Sequence, residues 1–261
     1  MRCKIRKFSL ALRYFIDLAY LGTAYYGWQI QPDAVSVQQV LQEALSKILQ
    51  QNIEVVGAGR TDAGVHAKQL YAHFDAKMKF DEKTLQFKLN SFLPKDISIQ
   101  QLFKVQPEAH ARFDASSRSY EYHIVNSKDP FKIDLAYYLL KQPDIEKMNR
   151  AAAMLKDYTN FKCFSKSRTD VKTYNCSITE AFWEQTEDEL IFHISANRFL
   201  RNMVRAIVGT LLDIGLGKNS VDFLKEILKS EDRSMAGTSV PAHGLYLTKI
   251  EYPKTALFDG L

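Results

Sequence analysis

Ile53-Glu54-Val55-Val56 runs into Gly57-Ala58-Gly59-Arg60-Thr61-Asp62-Ala63-Gly64-Val65-His66-Ala67, and a second strand-like run follows from Gln69 to Ala76. Two strands joined by a polar, glycine-punctuated loop predict a hairpin-like unit inside a sheet. The loop holds three of the chain's eleven glycines. Glycine admits positive φ and close approach by neighbouring groups, so such a loop is suited to exposing one reactive side chain on rigid supports. Asp62 is the candidate, with Arg60 two residues before it and His66 four after. The same pattern also fits an ordinary turn with Asp62 as turn former. A phosphate loop is excluded because no Gly-Lys-Ser/Thr ending follows, and a dinucleotide fingerprint because no helix pattern opens after the glycines.

Working outward, Leu12, Tyr14, Ile16, Leu18 and Tyr20 alternate as in a half-buried strand. Ser36 begins a helix, with Gln39 at capping-box spacing and Val37, Leu41, Ala44, Leu45 and Ile48 along its apolar stripe. Glu54 to Ala58 and Gln69 to Ala76 read as strands. Asp81 caps a helix to Ser91, and Ile97 to Val105 is a strand. The second half opens with a strand from Ser117 to Asn126 and a helix from Asp144 to Leu155. Strands over Tyr174–Glu184 and Leu190–Ala196 follow. Helices are expected from Phe199 to Ile214 and from Ser220 to Lys229, then a polar loop and a closing strand, Leu245 to Tyr252. The expectation is an α+β fold: two halves of ferredoxin-like type share a central, mostly antiparallel sheet, with helices on one side and a cleft between them. The boundaries read as a basic extension (1–11), an N-terminal domain carrying the loop (12–108), a C-terminal domain (109–253) and a tail (254–261).

With 261 residues, 46% hydrophobic and 25% charged, the chain has a globular composition. No run of eighteen apolar residues spans a membrane, and Arg13 and Asp17 interrupt the early apolar stretch too soon for a signal-peptide core. Three cysteines, Cys3, Cys163 and Cys176, form no Cys-x-x-Cys pair. That fits a reducing cytoplasm and argues against a disulfide frame or a thiolate zinc site. The net charge of +5 permits an anionic partner. Lys162, Lys166, Arg168 and Lys172 form one basic cluster and Arg198, Arg201 and Arg205 another. Either alone fits a solvated surface; two, with aromatics between them, suit nucleic acid better.

Gly-Arg-Thr-Asp-Ala-Gly-Val-His-Ala (59–67) resembles the signature of the bacterial tRNA pseudouridine synthase A family. Further segments carry the same resemblance: Tyr25-Tyr26-Gly27-Trp28-Gln29, Arg118-Ser119-Tyr120, Asn197-Arg198-Phe199-Leu200-Arg201-Asn202-Met203-Val204-Arg205, and Val240-Pro241-Ala242-His243-Gly244-Leu245. In the last, Val240 replaces the family's alanine. The resemblance runs from about Leu12 to Leu247. It implies Asp62 as nucleophile, Arg205 as its ion-pair partner, Tyr120 stacked on the target base, Leu245 beside the base and Arg60 in an RNA-handling role. Trp28 and Tyr122 read as structural. The implied reaction converts the N1–C1′ bond of uridine to C5–C1′ at positions 38, 39 and 40 of the anticodon arm of tRNA. The implied protein is a homodimer, and it needs no cofactor or metal.

The residue chemistry fits that expectation. A carboxylate is ionised at neutral pH, so unlike serine it needs no neighbouring base to become a nucleophile, and a nearby arginine makes a sheltered carboxylate tolerable. Attack at C6 of the base, attack at C1′ and removal of a ribose proton all remain open. Two other readings stand beside it. One is a non-catalytic RNA-binding module, which leaves unexplained a carboxylate where phosphates would repel it. The other is a metal-dependent hydrolase built on Asp62, His66 and His73. It lacks a His-Glu-x-x-His pattern, and a histidine in such a loop more readily bonds backbone.

Overall fold

The computed structural model describes residues 11–166 and 171–253. In chain order the strands and helices are β1 (Leu12–Tyr20), α1 (Val37–Leu49), β2 (Val55–Gly57), β3 (His66–Ala76), α2 (Glu82–Phe92), β4 (Ile97–Lys104), β5 (Ser117–Val125), β6 (Tyr137–Tyr138), α3 (Ile145–Met154), β7 (Ile178–Gln185), β8 (Leu190–Ala196), α4 (Met203–Gly215), α5 (Phe223–Ser230) and β9 (Leu245–Glu251). The strands form one nine-stranded sheet in the order β4-β1-β3-β9-β5-β8-β7, with β2 added on β3 and β6 on β5. All pairings are antiparallel except β3–β9 and β5–β6. This is the expected α+β class with a mostly antiparallel central sheet.

The seam between the halves is short. β3 and β9 pair only at His66↔Tyr246 and Ala67↔Leu247. Beyond that point the Gln69 side chain bridges the strands, Ile250 N donating to its Oε1 at 3.0 Å, and past β9 the Tyr252 hydroxyl donates to Ala111 O in the loop before β5 at 2.6 Å. The last strand of the chain is thus inserted beside the strand that leaves the glycine loop.

Each half has its own apolar cluster. Tyr14, Ile16, Leu18, Trp28, Leu41 and Phe74 pack in the first, and Tyr122, Phe161, Phe192, Ile207 and Leu211 in the second. Along β5 one face runs from Ile124 and Tyr122, both fully buried, to half-buried Tyr120 and Arg118. The period-2 alternation of a strand therefore carries this row out from under the helices. α4 is buried on nearly every side, as expected of a helix apolar almost all round.

Several boundaries differ from the sequence expectation, each for a local reason. α4 begins at Met203, not Phe199, because Asn202 adopts a left-handed conformation (φ 67°) that breaks the helix. Residues 199–202 form the turn that precedes it. β7 begins at Ile178 because 174–177 bond to 159–161 and 197 instead: Phe161 N donates to Tyr174 O, and Asn197 N to Ser177 O. Ser220 precedes α5, its hydroxyl accepting from Phe223 N at 3.2 Å. Ser36 accepts from Gln39 N as expected, but the Gln39 amide donates to Glu43 and leaves the capping box half made. Arg168, like the extension to residue 10 and the tail from 254, lies outside the described residues.

Candidate active site

The loop after β2 is fastened from three sides. Gly57 lies so close to the Trp28 ring that a Cβ would stand 2.4 Å from it. Gly64 takes φ +78°, where any side chain is strained. Gly59 meets neither constraint. The Tyr20 hydroxyl lies 2.9 Å from Thr61 Oγ1, Trp28 N donates to Thr61 O, and Val65 N donates to Asp62 O at 3.2 Å, closing a turn at the carboxylate. Trp28, 1% exposed, is part of this support.

Asp62 points towards the first turn of α4. Arg205 Nη1 donates to Asp62 Oδ2 at 3.3 Å, and Arg201 Nε stands 3.9 Å from Oδ1. The two arginines differ in kind. Arg205 is 21% exposed and its Nε also donates to Val240 O at 2.7 Å, while Val240 N donates back to Arg205 O. Arg201 is 60% exposed and sits in the turn before the helix. The substitution of valine for alanine at 240 leaves this contact intact because it is made by backbone.

Asp62 borders a cleft of about 1240 Å³ whose lining includes Tyr120, Leu245, Arg60 and Arg205. The structure thus brings all five sequence-predicted site residues to one cavity. Tyr120 meets Phe199 edge to face, with centroids 5.2 Å apart and planes at 89°. Burial pushes the Tyr120 hydroxyl up to about 12, and the Asp62 charge adds to the shift. Leu245 is 5% exposed. Arg60 lies at the outer edge, its Nε donating to Gln29 Oε1 at 3.2 Å. Tyr122 is core, with its hydroxyl donating to Pro241 O at 2.9 Å. Among the described residues that line the cleft, seven basic side chains face a single carboxylate, Asp62.

Sequence reasoning left Arg118 without a role. Its guanidinium donates to four backbone carbonyls from three segments: Ala115 (2.7 Å), Arg112 (2.7 Å), Asn197 (2.8 Å) and Ala58 (3.3 Å). Ala58 begins the Asp62 loop, Arg112 and Ala115 belong to the loop before β5, and Asn197 begins the turn that leads to Arg205. One side chain therefore ties together three walls of the cleft. Burial holds its pKa below the usual guanidinium value. The signal was available, since Arg118 lies two residues from Tyr120 on one strand and so shares its face.

His66 lies inside β3 rather than in the loop, fully buried. Gly22 N donates to its Nδ1 at 2.9 Å, and its Nε2 lies 3.0 Å from both Asp134 O and His243 O. His73 Nδ1 accepts from Ala111 N at 3.1 Å. These bonds fix the two rings as structural, and burial lowers both pKa values. Among the described residues no cluster of three His, Cys, Asp or Glu is arranged to hold a metal, and no helix is long and apolar enough to cross a membrane. Cys163 and Cys176 are buried free thiols.

Comparison with known proteins shows which family the chain resembles. A family model described as tRNA pseudouridine synthase matches residues 18–114 and 151–253. The chain is 51% identical over 243 residues to tRNA pseudouridine synthase A of Parabacteroides distasonis, covering 93% of this chain and 96% of that one. It is 52% identical over 245 residues to the Porphyromonas gingivalis protein of the same name, covering 92% and 97%. A Thermoanaerobacter protein of that name is 42% identical over 244 residues, covering 91% and 98%.

Proposed function

The chain belongs to the tRNA pseudouridine synthase family, an isomerase of uridine in tRNA, and we propose that Asp62 is the carboxylate that performs its chemistry. The observation that carries this reading is a carboxylate facing seven basic side chains among the described residues of the cleft, held 3.3 Å from the part-buried Arg205. A carboxylate there weakens phosphate binding, so a binding module gains nothing from it. An isomerase needs it.

In the reaction N1–C1′ breaks and C5–C1′ forms. C5 loses a proton and N1 gains one, so nothing is oxidised and no group leaves. Asp62 serves as nucleophile, and Arg205, 3.3 Å away, keeps it aimed. The uridine enters flipped out of its stack, which costs a few kcal/mol. Stacking on Tyr120 recovers about 1–3 kcal/mol. Leu245 packs beside the uracil while it rotates. Arg60, at the outer edge, handles the RNA strand that the base has left.

The substrate in this reading is the anticodon arm of tRNA, at positions 38, 39 and 40, and the protein acts in the cytoplasm as a homodimer. Exposed Phe131, Ile133 and Leu140 offer apolar surface of the kind that a second copy covers. The test of the chemistry is tritium release from C5-labelled uridine in tRNA. The parent releases tritium; Asp62→Ala and Asp62→Asn release none. Release by either variant at a rate near the parent's overturns the assignment.

A further inference from the structure

Phe113 is out of place by the ordinary logic of burial. It is 75% exposed, yet it sits on a loop tied down by several hydrogen bonds. His110 is the hub: Arg112 N and Phe113 N donate to its Nδ1 at 3.1 and 3.3 Å, and its own N–H donates to Asp114 Oδ2 at 2.7 Å. Asp114 N closes the turn on His110 O. Below, the His110 ring meets the buried His73 ring edge on, at 4.6 Å. Arg118 holds the carbonyls on either side of Phe113, at Arg112 and Ala115. The His110 ring lies 4.3 Å from the Phe113 ring, and the Arg112 guanidinium 5.8 Å from its centre. Even so, most of the ring is open, and it lines the cationic cleft.

A rigid loop that presents a largely exposed aromatic ring, braced by His110 and with a guanidinium over it, in a cleft of excess positive charge selects a partner that is both anionic and flat. That describes a nucleotide: the base stacks on the ring and the phosphate meets the arginines. We infer that Phe113 is a stacking platform for a second base of the bound RNA, distinct from the uridine held at Tyr120, with Arg112 on that nucleotide's phosphate. The inference rests on reading the cleft as the tRNA site. It adds a subsite that fixes where the strand runs when the target base is out.

The test is steady-state isomerisation of an unmodified tRNA transcript by Phe113→Leu, Phe113→Tyr and Arg112→Met. Phe113→Leu keeps the apolar surface and loses the π face. It should lower kcat/KM about tenfold, mainly through KM, given the usual worth of a stacked base, with an unchanged melting temperature. Phe113→Tyr should restore most of the loss. Raising salt should weaken Phe113→Leu as steeply as the parent, whereas Arg112→Met should show a slope shallower by about one. A Phe113→Leu enzyme equal to the parent, or a Phe113→Tyr enzyme as poor as Phe113→Leu, overturns the platform. A parent that does not isomerise the transcript overturns the reading of the cleft instead, so the two failures are distinguishable.

Discussion

Strand β5 carries two charge systems, one on each face, and they are built in opposite ways. On the cleft face Arg118 and Tyr120 look into a cavity where, among the described residues, cations outnumber carboxylates and Arg118 hydrogen-bonds to backbone carbonyls. On the other face Glu121 and His123 belong to a closed network. Lys68 Nζ lies 2.6 Å from Glu121 Oε2, His123 bridges Glu121 and Glu189 at 3.1 and 2.5 Å, and Lys132 reaches Glu189 at 2.7 Å. There the hydrogen bond from His123, joined by Lys68, holds Glu121 down to about 2. The difference between the faces is balance. A neutralised network stabilises the fold, whereas an unbalanced one waits for a charged ligand. Screening gives the contrast a test, because only the unbalanced side has cations free to neutralise phosphates and so release the counter-ions condensed on RNA.

Substitutions on the two faces should separate cleanly. After Asp62 itself, the largest effect belongs to Arg205→Met, which leaves the sheltered carboxylate only the exposed Arg201 at 3.9 Å, a loss of about 3–5 kcal/mol for a buried pair and less at this partial exposure. Turnover should fall at least a hundredfold. Arg201→Met, at 3.9 Å and largely exposed, should cost less than about fivefold, in line with surface pairs worth about 0–1 kcal/mol. Equal effects in a turnover assay would break the distinction between them. Glu121→Gln, on the balanced face, should lower stability by about 1–2 kcal/mol, read as a melting-temperature drop of about 2–8 °C, and leave kcat/KM at 25 °C unchanged. A loss of turnover there would mean the two faces are coupled.

The smallest expected effect concerns pH. Burial lowers His73 to about 4, against an unfolded value of about 6.5. Between those values the unfolded chain binds a proton that the folded chain refuses, so stability falls as pH drops through that window. His66, also lowered by burial, acts in the same direction. Glu121 works further down: its contribution is complete above the usual carboxylate pKa of about 4.3 and is lost as pH falls towards about 2. Melting temperatures from pH 7 to pH 5 should therefore fall for the parent and fall less for His73→Gln, which keeps an acceptor for Ala111 N but does not protonate. Equal slopes would show that His73 is not a source of the acid sensitivity.

The sheet and most helices were legible because strand alternation and helix stripes are local signals. The extra turn expected of α4 was not, because Phe199 and Leu200 continue the apolar pattern while Asn202 breaks it through backbone conformation, which no periodicity encodes. Asp62 stood out by its glycine setting, and Arg205 and Tyr120 through their motifs. Arg118 and Phe113 escaped notice for another reason. Their parts depend on which carbonyls and rings distant segments bring to them, Ala58 and Asn197 for one and His110 braced by His73 for the other.

Binding by Asp62→Asn is the most direct probe of whether this carboxylate exists for chemistry. With unmodified tRNA at fixed salt, its dissociation constant should equal the parent's or be tighter, since one negative charge has left a cationic cleft, while tritium release is abolished. Loss of affinity together with loss of release would assign Asp62 to docking and contradict the account.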